Sequence, residues 1–141
     1  MSDLDGVRAA SAKFYAALNK MVNGDSSSMD ECWWHEGSVT AMHPIGGRTP
    51  GWDGVRESFA GVAHLSTGGQ VTLKDQMIQV GGDMAYELGL EDGKVTLAGT
   101  PMVIDHRVTN VYRRKDGAWR MVHHHTDISP AMMDVLAKLK G

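Results

Sequence analysis

The stretch Trp119-Arg120-Met121-Val122-His123-His124-His125-Thr126-Asp127 decides how this chain is read. It follows the turn residues Lys115-Asp116-Gly117 and precedes Ser129-Pro130, a good N-cap and first helical position for a tail helix. Side chains of a strand alternate between two faces, so three consecutive histidines cannot share one. One parity takes Trp119, Met121, His123, His125 and Asp127; the other takes Arg120, Val122, His124 and Thr126. Neither is a plain solvated face. Both sides of this strand are therefore expected to meet something other than water, a pocket on one side and a partner subunit on the other.

Upstream of that strand the pattern keeps period two. Met102, Ile104, His106, Val108, Asn110 and Tyr112 share one parity, and Met84, Tyr86, Leu88 and Leu90 form another apolar alternation. Asp92-Gly93 reads as a hairpin turn after Leu90, Val95 and Leu97 continue the alternation, and Gly99-Thr100-Pro101 turns the chain again before Met102. Val71, Leu73 and Met77 alternate as well, and a phase slip at Ile78 and Val80 predicts a bulge. The first part of the chain is helical instead. Leu4, Val7, Phe14, Leu18 and Met21 recur at three- and four-residue steps, and Asn23-Gly24 ends that helix. A short second helix carries Met29, Cys32, Trp33 and Trp34; Ser38 to His43 reads as a short strand; Trp52 to Leu65 reads as a third helix with Val55, Phe59 and Val62 on one stripe, closed by Gly68-Gly69. Helices followed by a long antiparallel meander predict an α+β fold, and 141 residues suit one domain spanning 1–141.

Charged residues are 22% of the chain and the net charge is −3. The one basic cluster, Arg113-Arg114-Lys115, falls at a turn, so no nucleic-acid partner is expected. The single cysteine, Cys32, offers neither a disulfide nor a cysteine metal cluster. No apolar run is long enough to span a membrane, and the acidic opening Met1-Ser2-Asp3-Leu4-Asp5 has no leader core. The expectation is a cytoplasmic protein with no membrane partner.

The segments Trp33-Trp34-His35-Glu36-Gly37, Met42-His43-Pro44-Ile45-Gly46-Gly47, Gly51-Trp52-Asp53-Gly54-Val55-Arg56 and the closing histidine strand, in this element order, resemble the nuclear transport factor 2-like superfamily. Within it, residues 4 to 130 are similar to SnoaL-like polyketide cyclases and ketosteroid isomerase-related proteins. The end of the chain also resembles the association domain of calcium/calmodulin-dependent protein kinase. The resemblance implies a cystatin-like roll: a cone-shaped, curved antiparallel sheet wrapped around N-terminal helices, with an interior pocket and an outer face that forms a dimer.

It also implies where chemistry sits. His43, before Pro44, takes the place of the proton-moving aspartate of ketosteroid isomerases, and an imidazole suits a general base near neutral pH. Their helical tyrosine would fall near Ala17, with Tyr15 out of phase. Their oxyanion acid would fall near Thr109 or Asn110, which leaves Asn110 and His106 as weaker oxyanion donors. Val122, His124 and Thr126 on the last strand, and Ile104, His106, Val108 and Asn110 on the preceding one, are expected to face the pocket. Trp34, Tyr86 and Leu88 would add apolar wall, with Trp52 at the mouth. A rival metal site would use His123, His125 and Asp127, with Asp105 the nearest further ligand.

The favoured reading is a small-molecule-binding protein, if an enzyme then a cofactor-independent isomerase, cyclase, dehydratase or hydrolase acting on a small apolar molecule. Its catalytic set would be His43, Asn110, His106 and His124, with no metal. The alternative is a non-catalytic ligand-binding or oligomerisation module; a subunit completing a larger oxygenase ranks last. A homodimer is expected through the convex sheet face, on Trp119, Met121, Val103 and Val111.

Overall fold

The computed structural model describes residues 2–140. Helix α1 (Asp3–Met21) starts where Ser2 Oγ accepts the Asp5 amide at 3.1 Å, and acidic Asp3 and Asp5 complement the positive helix end. Its stripe of Val7, Ser11, Phe14, Leu18 and Met21 is buried. The expected second helix is a single 3-10 turn, Ser27–Glu31. Two short strands follow, β1 (Thr40–Met42) and β2 (Thr49–Pro50). Helix α2 (Trp52–Leu65) then buries Val55, Phe59 and Ala63. The meander is β3 (Ser66–Gly81), β4 (Met84–Leu97), β5 (Thr100–Lys115) and β6 (Ala118–Thr126), and α3 (Pro130–Lys140) closes the chain.

The six strands form one curved, unclosed sheet in the order β2-β1-β6-β5-β4-β3. Its concave side holds α1 and α2, and the core lies between them, with Phe14, Trp33, Phe59, Tyr112 and Met121 all sealed from solvent. This is the expected α+β roll with one refinement. The sheet is mixed, because β1 pairs with β6 in parallel, Thr40 opposite His123.

Three register shifts bend the sheet. Two lie in β3, between Thr67 and Gln70 and between Lys74 and Met77, the second at the predicted phase slip. Gly68-Gly69 therefore sits inside β3 rather than closing α2. The third shift sets Tyr112 opposite Met121 but Val111 opposite His123, so Val122 is the extra residue of β6. That bulge resets the strand's parity. Trp119 and Met121 point inward with His124 and Thr126, and all four are buried. Trp119 packs so closely on α1 that a Cβ at Gly6 would come within 2.7 Å of its ring. The expectation that Trp119 and Met121 lie on the convex face is thus overturned.

Strand β4 corrects a second expectation. It runs unbroken through Asp92-Gly93, which is no hairpin, and turns its apolar parity outward, leaving Tyr86 45% exposed. The inward parity is Ala85, Glu87, Gly89, Glu91, Gly93, Val95 and Leu97. Gly93 is needed for close approach. A Cβ there would lie 1.8 Å from the Gln70 carbonyl oxygen, where β3 bulges against it.

Candidate functional site

The open end of the roll holds a cavity of about 380 Å³. Its body is apolar. Leu18 and Met21 come from α1, Phe59, Val62 and Leu65 from α2, and Val71, Val95, Leu97 and Ile104 from the sheet, while Met132 and Leu136 of α3 complete the rim. At one end the wall turns polar with His43, Ser58, Glu91, His106 and His124. Three of the four expected catalytic residues therefore do share one cavity, although they stand on β1's exit, β5 and β6.

Each imidazole is tied down from behind. Ser58 Oγ donates its proton to the Val55 carbonyl at 2.6 Å, a back-bond within α2, so its contact with His43 Nε2 at 2.7 Å must have the histidine donating. That leaves His43 Nδ1 with a lone pair. Asn110 Nδ2 donates to Tyr15 Oη at 3.0 Å and to Glu87 Oε1 at 2.9 Å, so Asn110 Oδ1 is an acceptor and His124 Nδ1 donates to it at 2.6 Å. That leaves His124 Nε2 with a lone pair. His106 Nε2 lies 2.8 Å from Glu91 Oε1, and Tyr15 Oη donates to Glu91 Oε2 at 2.9 Å.

The electrostatics follow from burial and these bonds. Burial pushes His43 down to about 3 and His124 down to about 4, so both are neutral at physiological pH. Burial alone would raise Glu91, but with hydrogen bonds from His106 and Tyr15 pulling the other way its carboxyl lies below the ordinary value. Burial and the adjacent Glu91 charge push the Tyr15 phenol far up, so it stays a donor. Glu91 is thus an ionised, fully buried carboxylate with His106 beside it, the arrangement that orients an imidazole and stabilises the cation formed when it takes a proton.

The remaining sequence-based assignments fall elsewhere. Asn110 is fully buried behind His124 with its amide spent on Tyr15 and Glu87, so it does not line the cavity as an oxyanion donor. His106 turns its Nε2 to Glu91. Ile104 lines the cavity as expected. Trp34 lies outside it, its indole nitrogen donating to the Arg113 carbonyl at 2.8 Å and its ring under Arg120. Trp52 stacks on His35 at 4.4 Å. Tyr86 and Leu88 belong to the outward parity of β4. Val108 and Thr126, cross-strand partners, are buried beyond the cavity, and Val122 is the bulge residue, off the cavity wall. The rival metal set is engaged otherwise. His123 Nδ1 meets Thr40 Oγ1 at 2.6 Å, and Asp127 grips the Arg107 guanidinium through both oxygens. Among the described residues no three His, Cys, Asp or Glu side chains converge as metal ligands.

Sequence reasoning missed Tyr15, Ser58, Glu87 and Glu91. The available signal was charge spacing: Glu87 and Glu91 share a parity with Gly89 and Gly93, flanked by apolar residues that claim the opposite face.

A family model described as a SnoaL-like domain matches residues 7–133. A crystal structure named a candidate dehydratase of the NTF2-like family, from Streptomyces avermitilis, superimposes with a TM-score of 0.78 at 24% identity, over 90% of this chain and 97% of that one. A cystatin-like protein from Caulobacter vibrioides gives 0.75 at 15% identity over 98% of each chain. A candidate calcium/calmodulin-dependent protein kinase type II association domain from Thiobacillus denitrificans gives 0.63 at 23% identity over 86% and 94%. No curated protein sequence matches. These likenesses concern the fold.

Proposed function

The chain belongs to the SnoaL-like family, and we propose that its cavity is the active site of a cofactor-independent acid–base enzyme acting on a small, largely apolar molecule. The reaction class is one begun by proton removal: isomerisation, cyclisation, dehydration or hydrolysis. The observation that carries this reading is the buried pair of His106 Nε2 and Glu91 Oε1 at 2.8 Å, opening onto an apolar cavity. His106 is the base, taking the proton on Nδ1, and Glu91 steadies the imidazolium. Tyr15 holds Glu91 from its other oxygen. His43 is the poorer base, because its partner is a serine hydroxyl and burial keeps it from accepting a proton. His43 and His124 position the substrate instead. The name of the Streptomyces protein is consistent with such chemistry.

The test is deuterium exchange into the acidic C–H of 6-hydroxy-2-tetralone, followed by NMR. Wild type is expected to accelerate exchange, and His106→Gln to lower that acceleration about a hundredfold or more. Exchange that persists undiminished in His106→Gln would remove His106 from the role.

The convex face supports a compatible second statement, that the partner is a second copy of this chain. Val103 is 75% exposed there, with Met77, Met84 and Tyr86 also open. Sedimentation velocity at micromolar concentration is expected to show a dimer that Val103→Lys weakens. A wild-type monomer would end this reading.

A further inference from the structure

The polar end of the cavity is built to accept hydrogen bonds. His43 and His124 spend their N–H groups on Ser58 and Asn110, so each ring keeps a lone pair on its other nitrogen. His106, in the form that can take a proton, has the same arrangement toward Glu91. These free nitrogens have no protein partner. Among the described residues the only sealed and unpartnered side-chain polar atoms are Trp33 Nε1 and Thr126 Oγ1, so the free ring nitrogens open to the cavity their residues line. The rings of His43 and His124 are 6.1 Å apart, within reach of one small polar group.

Donors are scarce by contrast. Ser58 and Ser66 give their hydroxyl protons to the Val55 and Val62 carbonyls. Thr49, at the rim, is the one lining hydroxyl left with a proton to give, and no lysine or arginine lines the cavity. An anionic ligand would enter an apolar chamber beside the Glu91 carboxylate and meet lone pairs, an arrangement that opposes it twice. A metal ion is disfavoured because among the described residues no three His, Cys, Asp or Glu side chains converge.

We infer that the cavity selects neutral molecules carrying a hydroxyl group on an apolar ring body, phenols or cyclic alcohols, and rejects the matching carboxylates. The hydroxyl donates its one proton to His124 Nε2, with His43 Nδ1 the alternative acceptor, while the ring body packs between Phe59, Val62 and Ile104. This deepens the reading of the same cavity as an active site and rests on it for the substrate's role, but the selectivity itself is a property of binding alone.

The experiment compares 2-naphthol, naphthalene and 2-naphthoate by isothermal calorimetry at pH 7. 2-Naphthol is expected to bind about tenfold tighter or more than either of the others. His124→Phe should lower naphthol affinity toward that of naphthalene while leaving naphthalene binding intact, which shows that the cavity persists in the variant. Nitrogen-15 spectra of the imidazoles should place the proton on Nε2 of His43 and on Nδ1 of His124. Naphthoate binding as tightly as naphthol, no binding of naphthol, or the reverse tautomers would each overturn the inference. The two claims fail separately. Lost selectivity with His106-dependent exchange intact removes only the substrate class, and intact selectivity with exchange indifferent to His106→Gln removes only the base.

Discussion

Two polar clusters share the interior of this roll, and they are built on opposite terms. In the closed half, Glu87 accepts from Asn110 and Tyr112 at 2.9 and 2.7 Å on one oxygen and from Gln76 at 2.7 Å on the other. Both oxygens are matched from within the chain, and Glu87 does not line the cavity. In the open half, Glu91 is matched in the same way, but the imidazoles around it keep unmatched nitrogens and face a cavity. Asn110 joins the two halves, bonded to Glu87 on one side and to His124 on the other. The contrast separates polar burial that fixes a structure from polar burial that waits for a molecule.

The largest expected effect probes the closed half. Glu87→Gln puts an NH2 group among donors with nowhere to give its protons, and should cost about 3 kcal/mol in urea denaturation. Glu91→Gln should cost under about 1 kcal/mol, because His106 can shift its proton and accept from the new amide. Equal losses for the two would erase the distinction.

The next effect is on pH. Burial holds His43 and His124 below their ordinary 6.5, at about 3 and 4, while the unfolded chain protonates both near 6.5. The unfolded state binds more protons between those values, so this contribution is fully present above pH 6.5 and is lost as the pH falls toward 4. Denaturation at pH 7 and pH 5 should differ by about 2 kcal/mol for each of the two imidazoles. A double variant with phenylalanine at both positions should flatten that slope.

Most of the architecture was legible before any coordinates. Apolar periodicity located α1, α2 and the meander, Ser129-Pro130 marked the start of α3, and β5 was assigned the correct inward parity from Ile104 to Tyr112. The last strand was read half correctly. His124 does face the cavity, but one extra residue at Val122 brings Trp119 and Met121 to the same side, and strict alternation cannot foresee a bulge. Strand β4 failed for a different reason. Binary patterning puts Tyr86 and Leu88 inside and glutamates outside, whereas Glu87 and Glu91 are inside because Tyr15, Gln76, Asn110, Tyr112 and His106 come from distant parts of the chain to meet them. A carboxylate's partners set its place, and partners across the sequence carry no local signal.

The smallest expected effect sharpens the open half. Ser58→Ala removes the acceptor that fixes the His43 proton, and should change stability by less than about 1 kcal/mol. The nitrogen-15 spectrum should then show His43 sampling both tautomers while His124 stays fixed. An unchanged His43 signal would mean that Ser58 does not set its proton.

The displacement in β3 at Asp75 and Gln76 has a consequence beyond sending Gln76 to Glu87. β3 is a free edge of the sheet, and a long straight edge is a template on which another chain can add a strand. Here that template is interrupted twice, and Lys74 and Asp75 stand exposed at the second interruption. The same kink that completes a buried carboxylate's shell therefore also leaves this flank a poor template for fibrillar stacking.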